Sequence, residues 1–241
     1  MNFFRSFSLL AATAVTSLAV LLPAQAGEVE IRKNLEDSNP QFLGINEITK
    51  TPMPGIYEVR MGGAQIFYTD ANGGYLIQGS MLDVKAGKNI TQERIDKLTA
   101  VDFDKLPLKD AFKIVRGNGK RQLAIFEDPN CGYCKQFEQN MLSVDNVTVY
   151  MFLYPILGAD STLKARNIWC ASDRVKAWND WMLNNVQAPV KECDAAPLER
   201  NRAYGQKYNI TGTPTLIFTD GTRAPGAISA AQVEQRLASI K

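Results

Sequence analysis

Two hydrophobic periods divide the chain. The segment Glu28 to Leu35 sets Ile31 and Leu35 at helical spacing, and Asn39-Pro40 stops it. Strand-like runs follow at Ile45 to Thr49, Ile56 to Met61, Ala64 to Thr69 and Tyr75 to Gln78. Turn chemistry separates them at Pro52-Met53-Pro54-Gly55, Gly62-Gly63 and Asp70-Ala71-Asn72-Gly73-Gly74, which predicts a β-meander domain over residues 27–87. A sheet this small has little core and exposes its edges. It invites pairing with a second copy, and a self-contained capping domain is the equal alternative.

Within residues 88–109, Asn89 to about Leu106 is more polar and helix-prone. Asn89 is placed as N-cap with Gln92 at the reach-back position, and Ile95 and Leu98 give a thin apolar stripe. A linker helix between two domains is expected, a surface helix of the second domain being the alternative. Over residues 110–241 strands and helices interleave. Phe112 to Arg116, the turn Gly117-Asn118-Gly119 and Gln122 to Phe126 predict a hairpin; the helix after Cys131 and Thr148 to Tyr154 then complete a β-α-β unit. Helical patterns fill Ser161 to Ala171, Val175 to Leu183 and Leu198 to Tyr208. Thr215 to Phe218 reads as a buried strand turned by Asp220-Gly221, and Ala230 to Ile240 as a closing amphipathic helix. The fold class is α+β, its second part an α/β domain on a mixed sheet.

The first 26 residues stand apart. Arg5 is their only charge, an apolar stretch runs from Phe7 to Leu22, Pro23 breaks it, and Ala24-Gln25-Ala26 gives a small-x-small pattern. A secretory signal peptide cleaved after Ala26 is expected, since the stretch is short and interrupted by Thr13, Thr16 and Ser17. The whole chain carries 27 basic and 25 acidic residues, a balance with no footprint for nucleic acid or an anionic membrane. It contains no histidine. That excludes Ser-His and Cys-His catalysis and imidazole-bound zinc, so no metal site and no cofactor are expected and the chemistry must rest on sulfur. Four cysteines in an exported chain suit an oxidising compartment.

Two of them form Cys131-Gly132-Tyr133-Cys134, between the apolar run Leu123-Ala124-Ile125-Phe126 and the helical pattern Lys135-Gln136-Phe137-Glu138. A cysteine at a helix start faces unpaired backbone N–H groups and the positive end of the helix dipole, which favour its thiolate. Cys131 is the expected nucleophile. Cys134 lies one turn inward, placed to close a disulfide with Cys131 or to expel a partner joined to it.

A C-x-x-C at a strand-to-helix junction, with Thr211-Gly212-Thr213-Pro214-Thr215 downstream, resembles the thioredoxin fold. The resemblance implies a cis bond at Pro214 facing the dithiol, turning the Thr213 backbone outward to pair with an extended substrate strand. The order of elements, with Tyr75-Leu76-Ile77-Gln78-Gly79 in the first domain and Cys170 and Cys193 in the second, is similar to the DsbC/DsbG family of periplasmic disulfide isomerases along essentially the whole chain. That likeness implies a cystatin-like dimerisation domain, a linker helix, and a thioredoxin-like catalytic domain with a helical insert. It also implies a homodimer whose dithiols face a cleft for misfolded, disulfide-containing exported proteins, and a DsbD-like membrane thiol reductase as electron donor.

Cys170 and Cys193 have neither redox-motif nor zinc-knuckle spacing. A structural disulfide is expected, the family likeness supports it, and two free buried thiols are the alternative. Thioredoxins carry a buried acid six residues before the motif, where this chain has Ile125. That acid takes the second cysteine's proton; Glu127 and Asp128 lie nearer and are expected to be solvated loop acids, a substitute proton acceptor acting through water being the alternative. The mechanism these features imply begins with Cys131 attacking a wrong substrate disulfide to form a mixed disulfide. Either the freed substrate thiol then attacks elsewhere, which is isomerisation, or Cys134 attacks Cys131 and the substrate leaves reduced. Gly132 and Tyr133 tune thiolate against disulfide, and Thr213 and Pro214 hold substrate backbone. The alternatives are a DsbG-like sulfenic acid reductase or holdase chaperone, and a net thiol oxidase; DsbG-type proteins usually carry proline at the Gly132 position and lack the second cysteine pair.

Overall fold

A computed structural model of the chain describes residues 24–240. These divide into two compact units, one reaching to Val59 and taking in Phe67–Ile77, the other made of Arg60–Ile66 and the chain from Gln78 onward. Most of the expected signal peptide, residues 1–23, lies outside the described residues.

In the N-terminal unit, α1 (Ala24–Ser38) buries Ile31 and Leu35 at the spacing read from the sequence. Arg32 ties it to β1 (Ile45–Lys50) by donating to the Ile45 carbonyl at 2.7 Å. β2 (Ile56–Met61), β3 (Gln65–Asp70) and the short β4 (Leu76–Ile77) follow in the order β1-β2-β3-β4. One carboxylate builds the turn into β4: Asp70 accepts the N–H groups of Asn72, Gly74 and Tyr75 at 3.3, 2.7 and 2.9 Å. These backbone donors, Tyr75 foremost, hold its carboxyl below the usual carboxylate range. Thr69 adds a hydroxyl bond to the Tyr75 carbonyl at 2.6 Å. The expected strand over Tyr75 to Gln78 is thereby reduced to two paired residues, Leu76 opposite Thr69 and Ile77 opposite Tyr68.

A two-stranded ribbon, β5 (Leu82–Asp83) and β6 (Lys88–Asn89), leads into α2 (Ile90–Thr99). These strands are too short to leave a period in the sequence. Asn89 caps α2 by accepting the Gln92 N–H at 3.0 Å, but the Gln92 side chain turns forward to Asp96 at 2.8 Å instead of reaching back to close a capping box. The helix also stops at Thr99, short of the expected Leu106. Val101, Phe103 and Leu106 leave the helical path because they are buried against one face of the C-terminal sheet.

That sheet is formed by β7 (Phe112–Arg116), β8 (Arg121–Glu127), β9 (Val147–Leu153), β10 (Thr215–Phe218) and β11 (Arg223–Pro225), in the order β11-β10-β8-β9-β7. The expected hairpin of β7 with β8 does not form. β9 lies between them, parallel to β8 and antiparallel to β7. Burial explains the order: β9 reads Val-Thr-Val-Tyr-Met-Phe-Leu and is covered on both faces, whereas β7 leaves Lys113 and Val115 exposed and suits an edge. Across the parallel pair, Phe126 and Phe152 stack with ring centres 4.5 Å apart.

Leu123, Ile125, Val149 and Met151 face one layer of helices: α3 (Gly132–Met141), α4 (Ala159–Trp169), α5 (Arg174–Asn184) and α7 (Ala230–Ser239). Ala124, Phe126, Tyr150 and Phe152 face the other layer, where α6 (Ala196–Lys207) contributes Tyr204 beside Phe103 and Leu106. Asp110, itself buried, is gripped by the Arg200 guanidinium at 2.6 and 2.9 Å, fixing α6 to the start of the domain.

Cys170 ends α4 and is joined to Cys193 in the loop before α6. Trp169 donates to the Asp194 carbonyl at 3.1 Å beside this bond, and Arg174 lies 3.8 Å over the Trp169 ring. Closing a loop of this length restricts the unfolded chain, so replacing both residues by serine is expected to cost about 2–4 kcal/mol. Urea unfolding of the double variant against the parent measures it, with the Cys131 and Cys134 thiol count unchanged in the folded state.

Candidate functional site

The site grows from the end of β8. Asp128, fully buried, accepts the N–H groups of Asn130, Ile156 and Leu157 at 2.7, 2.7 and 2.9 Å. One carboxylate thus binds the loop before the dithiol to the loop after β9. The Pro129 carbonyl accepts the Trp181 indole N–H at 2.6 Å, and Lys135 and Lys164 lie 3.8 and 4.4 Å from the centre of that ring. The approach to the dithiol is therefore held by β9, α4 and α5 together. Trp181 was not singled out in the sequence, because only packing brings α5 to residue 129.

Cys131 caps α3. Its backbone N–H donates to the Asp128 carbonyl at 3.0 Å, and its sulfur accepts the Cys134 N–H at 3.1 Å, the place a serine or aspartate oxygen takes in an ordinary N-cap. The Thr213–Pro214 peptide is cis, and the Thr213 carbonyl lies 3.3 Å from the Cys131 sulfur. Cys131, Cys134, Thr213 and Pro214 thus meet in one place, although about eighty residues separate the two segments. Gly132 and Tyr133 form the outward rim: a Cβ on Gly132 would touch nothing within 4 Å, and Tyr133 is 71% exposed. Cys170 and Cys193 belong to the helical insert, joined to each other and not to the dithiol.

The two thiols differ sharply. The Cys131 thiol is lowered to about 6, chiefly by the Cys134 thiol donating to it, with help from Thr213 and the Cys134 N–H; burial opposes the shift. Cys134, with no exposed surface, is pushed far up by burial, by Cys131 and by the nearby Glu127 carboxyl. One sulfur is ready as a thiolate at neutral pH while the other keeps its proton. Both stand as free thiols, which makes this the reduced dithiol.

The expectation that Glu127 and Asp128 are solvated loop acids is overturned: neither has exposed surface. Asp128 spends its charge on backbone N–H groups. Glu127 is the last residue of β8 and continues the alternation of Leu123 and Ile125 into the layer beneath α3. Both of its carboxyl oxygens lack a hydrogen-bond donor among the described residues. The sequence reading also passed over Glu138, which the helical period sets one turn beyond Cys134 and which is 2% exposed. The i, i+4 spacing from Cys134 was the available signal.

Residues 22–92 match the model of the disulfide bond isomerase protein N-terminal domain, and residues 108–241 match that of the thioredoxin-like domain. A protein of Bordetella parapertussis described as a probable thiol:disulfide interchange protein DsbC is 45% identical over 216 residues, covering 89% of this chain and 76% of that protein. DsbC of Escherichia coli K12 is 30% identical over 212 residues, covering 84% of each. Among solved structures, a disulfide interchange protein from Neisseria gonorrhoeae superposes with a TM-score of 0.53 at 38% identity, covering 56% of this chain and 97% of its own. With 45% identity across most of both chains and both family models matched in order, the chain belongs to the DsbC family, an N-terminal DsbC domain followed by a thioredoxin-like domain.

Proposed function

We propose that the protein is a thiol:disulfide isomerase and oxidoreductase for exported proteins in the periplasm, with Cys131 as nucleophile and Cys134 as resolving thiol. The observation that carries this reading is the Cys131 sulfur itself. It is held at the N-terminus of α3 by the Cys134 N–H at 3.1 Å and lies 3.3 Å from the Thr213 carbonyl, so a low-pKa sulfur stands beside the backbone of the cis Thr213–Pro214 bond. An extended substrate segment pairing with Thr213 places its disulfide against that sulfur. The Cys131 thiolate attacks and forms a mixed disulfide, and the same low pKa makes Cys131 a good leaving group when a substrate thiol returns. A nucleophile that leaves easily suits repeated exchange with no net electron transfer. Thr213 and Pro214 position the substrate backbone, and Gly132 and Tyr133 form the exposed rim beside the Cys131 sulfur, whose residue is 5% exposed.

Two features of the N-terminal unit support a homodimer. β4 is an edge strand, and Tyr75, Leu76 and Ile77 are 78%, 38% and 52% exposed along it. An apolar edge with free backbone groups is suited to pairing with the same edge of a second copy. Two dithiols on one substrate would favour isomerisation and binding of misfolded chains over simple oxidation, and a DsbD-like membrane thiol reductase would return the dithiol to its reduced state.

Three outcomes test the reading. Replacing Cys131 by alanine is expected to abolish reactivation of scrambled ribonuclease while suppression of aggregation persists; reactivation by that variant sinks the assignment. Alkylation of Cys131 by iodoacetamide should rise with pH around a midpoint near 6, the thiolate being lost as pH falls through that value. At pH 7 about nine-tenths of Cys131 should be thiolate. Finally, the mature protein should sediment as a dimer and Ile77→Lys as a monomer that keeps Cys131 alkylation but loses most reactivation.

A further inference from the structure

Behind the dithiol lies a buried acid pair that the exchange just described does not use. Glu127 ends β8 with no exposed surface, and Glu138 on α3 is 2% exposed. Glu138 stands one helical turn beyond Cys134 and therefore on its face of the helix. It is anchored from the far side: Oε1 accepts the Trp178 indole N–H at 3.2 Å, and Oε2 lies 3.6 Å from the Arg116 guanidinium. Glu127 has no such anchor. Its two oxygens and Oε2 of Glu138 are buried without a hydrogen-bond donor among the described residues. Carboxylates only accept, so two of them facing each other in a dry site cannot satisfy one another. One added proton turns the contact into a hydrogen bond, as in other buried carboxyl pairs.

We propose that Glu127 and Glu138 form a proton-sharing carboxyl pair in which Glu127 takes the proton of Cys134 when that thiol resolves the mixed disulfide. This rests on the assignment of Cys134 as resolving thiol. In the step, the Cys134 sulfur bonds to the Cys131 sulfur as the bond between Cys131 and the substrate sulfur breaks. The substrate sulfur leaves with that electron pair as a thiolate, and the Cys134 proton passes to the Glu127 carboxylate. The protein dithiol is oxidised by two electrons and the substrate disulfide is reduced by the same two.

The surroundings fix the sign of the pH dependence. The charged or titratable groups facing Glu127 are Glu138 and Cys134 on α3, Cys131 at its cap and Arg116 at the end of β7; α5 offers the uncharged Trp178. Burial, then the charge of Glu138, raises the Glu127 carboxyl well above the usual range, and Arg116 opposes only in part. Glu127 thus keeps its proton at low pH and accepts one from Cys134 only after losing it. Resolution speeds up over the pH range in which Glu127 loses its proton. Below that range Cys134 stays protonated and the mixed disulfide persists, so a substrate thiol has time to attack elsewhere. The pair divides isomerisation from reduction.

The test is stopped-flow mixing of the reduced full chain with saturating glutathione disulfide from pH 5 to 9. At saturation the observed rate is that of resolution, and Cys131 has no thiol left to titrate. The parent rate should rise with pH. Glu127→Gln should lower it at least ~10-fold near neutrality and flatten its pH slope, Glu127→Asp should restore a slope, and iodoacetamide alkylation of Cys131 should keep its midpoint near 6. Glu138→Gln should move the rise to lower pH, because the like charge that holds the proton on Glu127 is gone. A parental pH slope in Glu127→Gln overturns the proposal; should that variant not fold, an unmoved profile in Glu138→Gln does so. A Cys134→Ser variant that still releases both glutathione thiols would instead overturn the resolving role of Cys134, a separate failure.

Discussion

The bond from the Cys134 N–H to the Cys131 sulfur is the contact around which the catalytic domain is organised. It makes a sulfur, in place of an oxygen, the cap of a helix. A capping atom must accept hydrogen bonds, and a thiolate accepts better than a thiol, so the Cys134 thiol, which chiefly lowers the Cys131 pKa, is joined in this by the Cys134 N–H at the start of α3. The cap is useful only if the helix start cannot shift. Asp128, Pro129 and Trp181 secure it, tying the four residues before Gly132 to the loop after β9 and to α5 through bonds no longer than 3.0 Å. Two buried polar groups spent on one short loop indicate how closely its position is held.

From that fixed point the environments of the two cysteines diverge. Cys131 looks outward to Thr213 and the exposed rim of Gly132 and Tyr133. Cys134 looks inward, among Phe137 and Met141 and toward the buried acids. A single helical turn carries the chain from the edge of solvent to the interior, and dielectric falls along it. Charge is cheap at the first sulfur and expensive at the second, an order that attack followed by resolution requires.

The N-terminal unit follows a different rule. Its strands are short, its core is small, and an acidic turn at Asp70 serves mainly to present β4 at the edge. Tyr75 and Ile77 remain largely exposed there. Apolar side chains on an unpaired edge are a liability in a lone domain.

The local elements were legible because each depends on neighbours in sequence. β2, β7 and β10 have the bounds their periodicity and turns predict, Asn89 and Cys131 cap helices where the N-terminal signals stand, and the spacing of the dithiol alone orders its two sulfurs. What the sequence did not disclose depends on residues far apart. The place of β9 between β7 and β8 follows from which strand can be covered on both faces. The break of the second helix at Thr99 follows from the burial of Val101, Phe103 and Leu106 under a sheet that forms later in the chain. Glu127 is the clearest case. Its charge and its position just before a loop suggested solvent, yet the strand runs one residue further and its pleat turns the carboxyl inward beside Ile125, beneath α3. The sequence by itself determined the chemistry of sulfur and the helix that activates it, since spacing and period are local. Only the tertiary structure decided where water is excluded, and with it that the Glu127 carboxyl behind Cys134 is raised above the usual range, because burial is a property of the packed layers and not of any one segment.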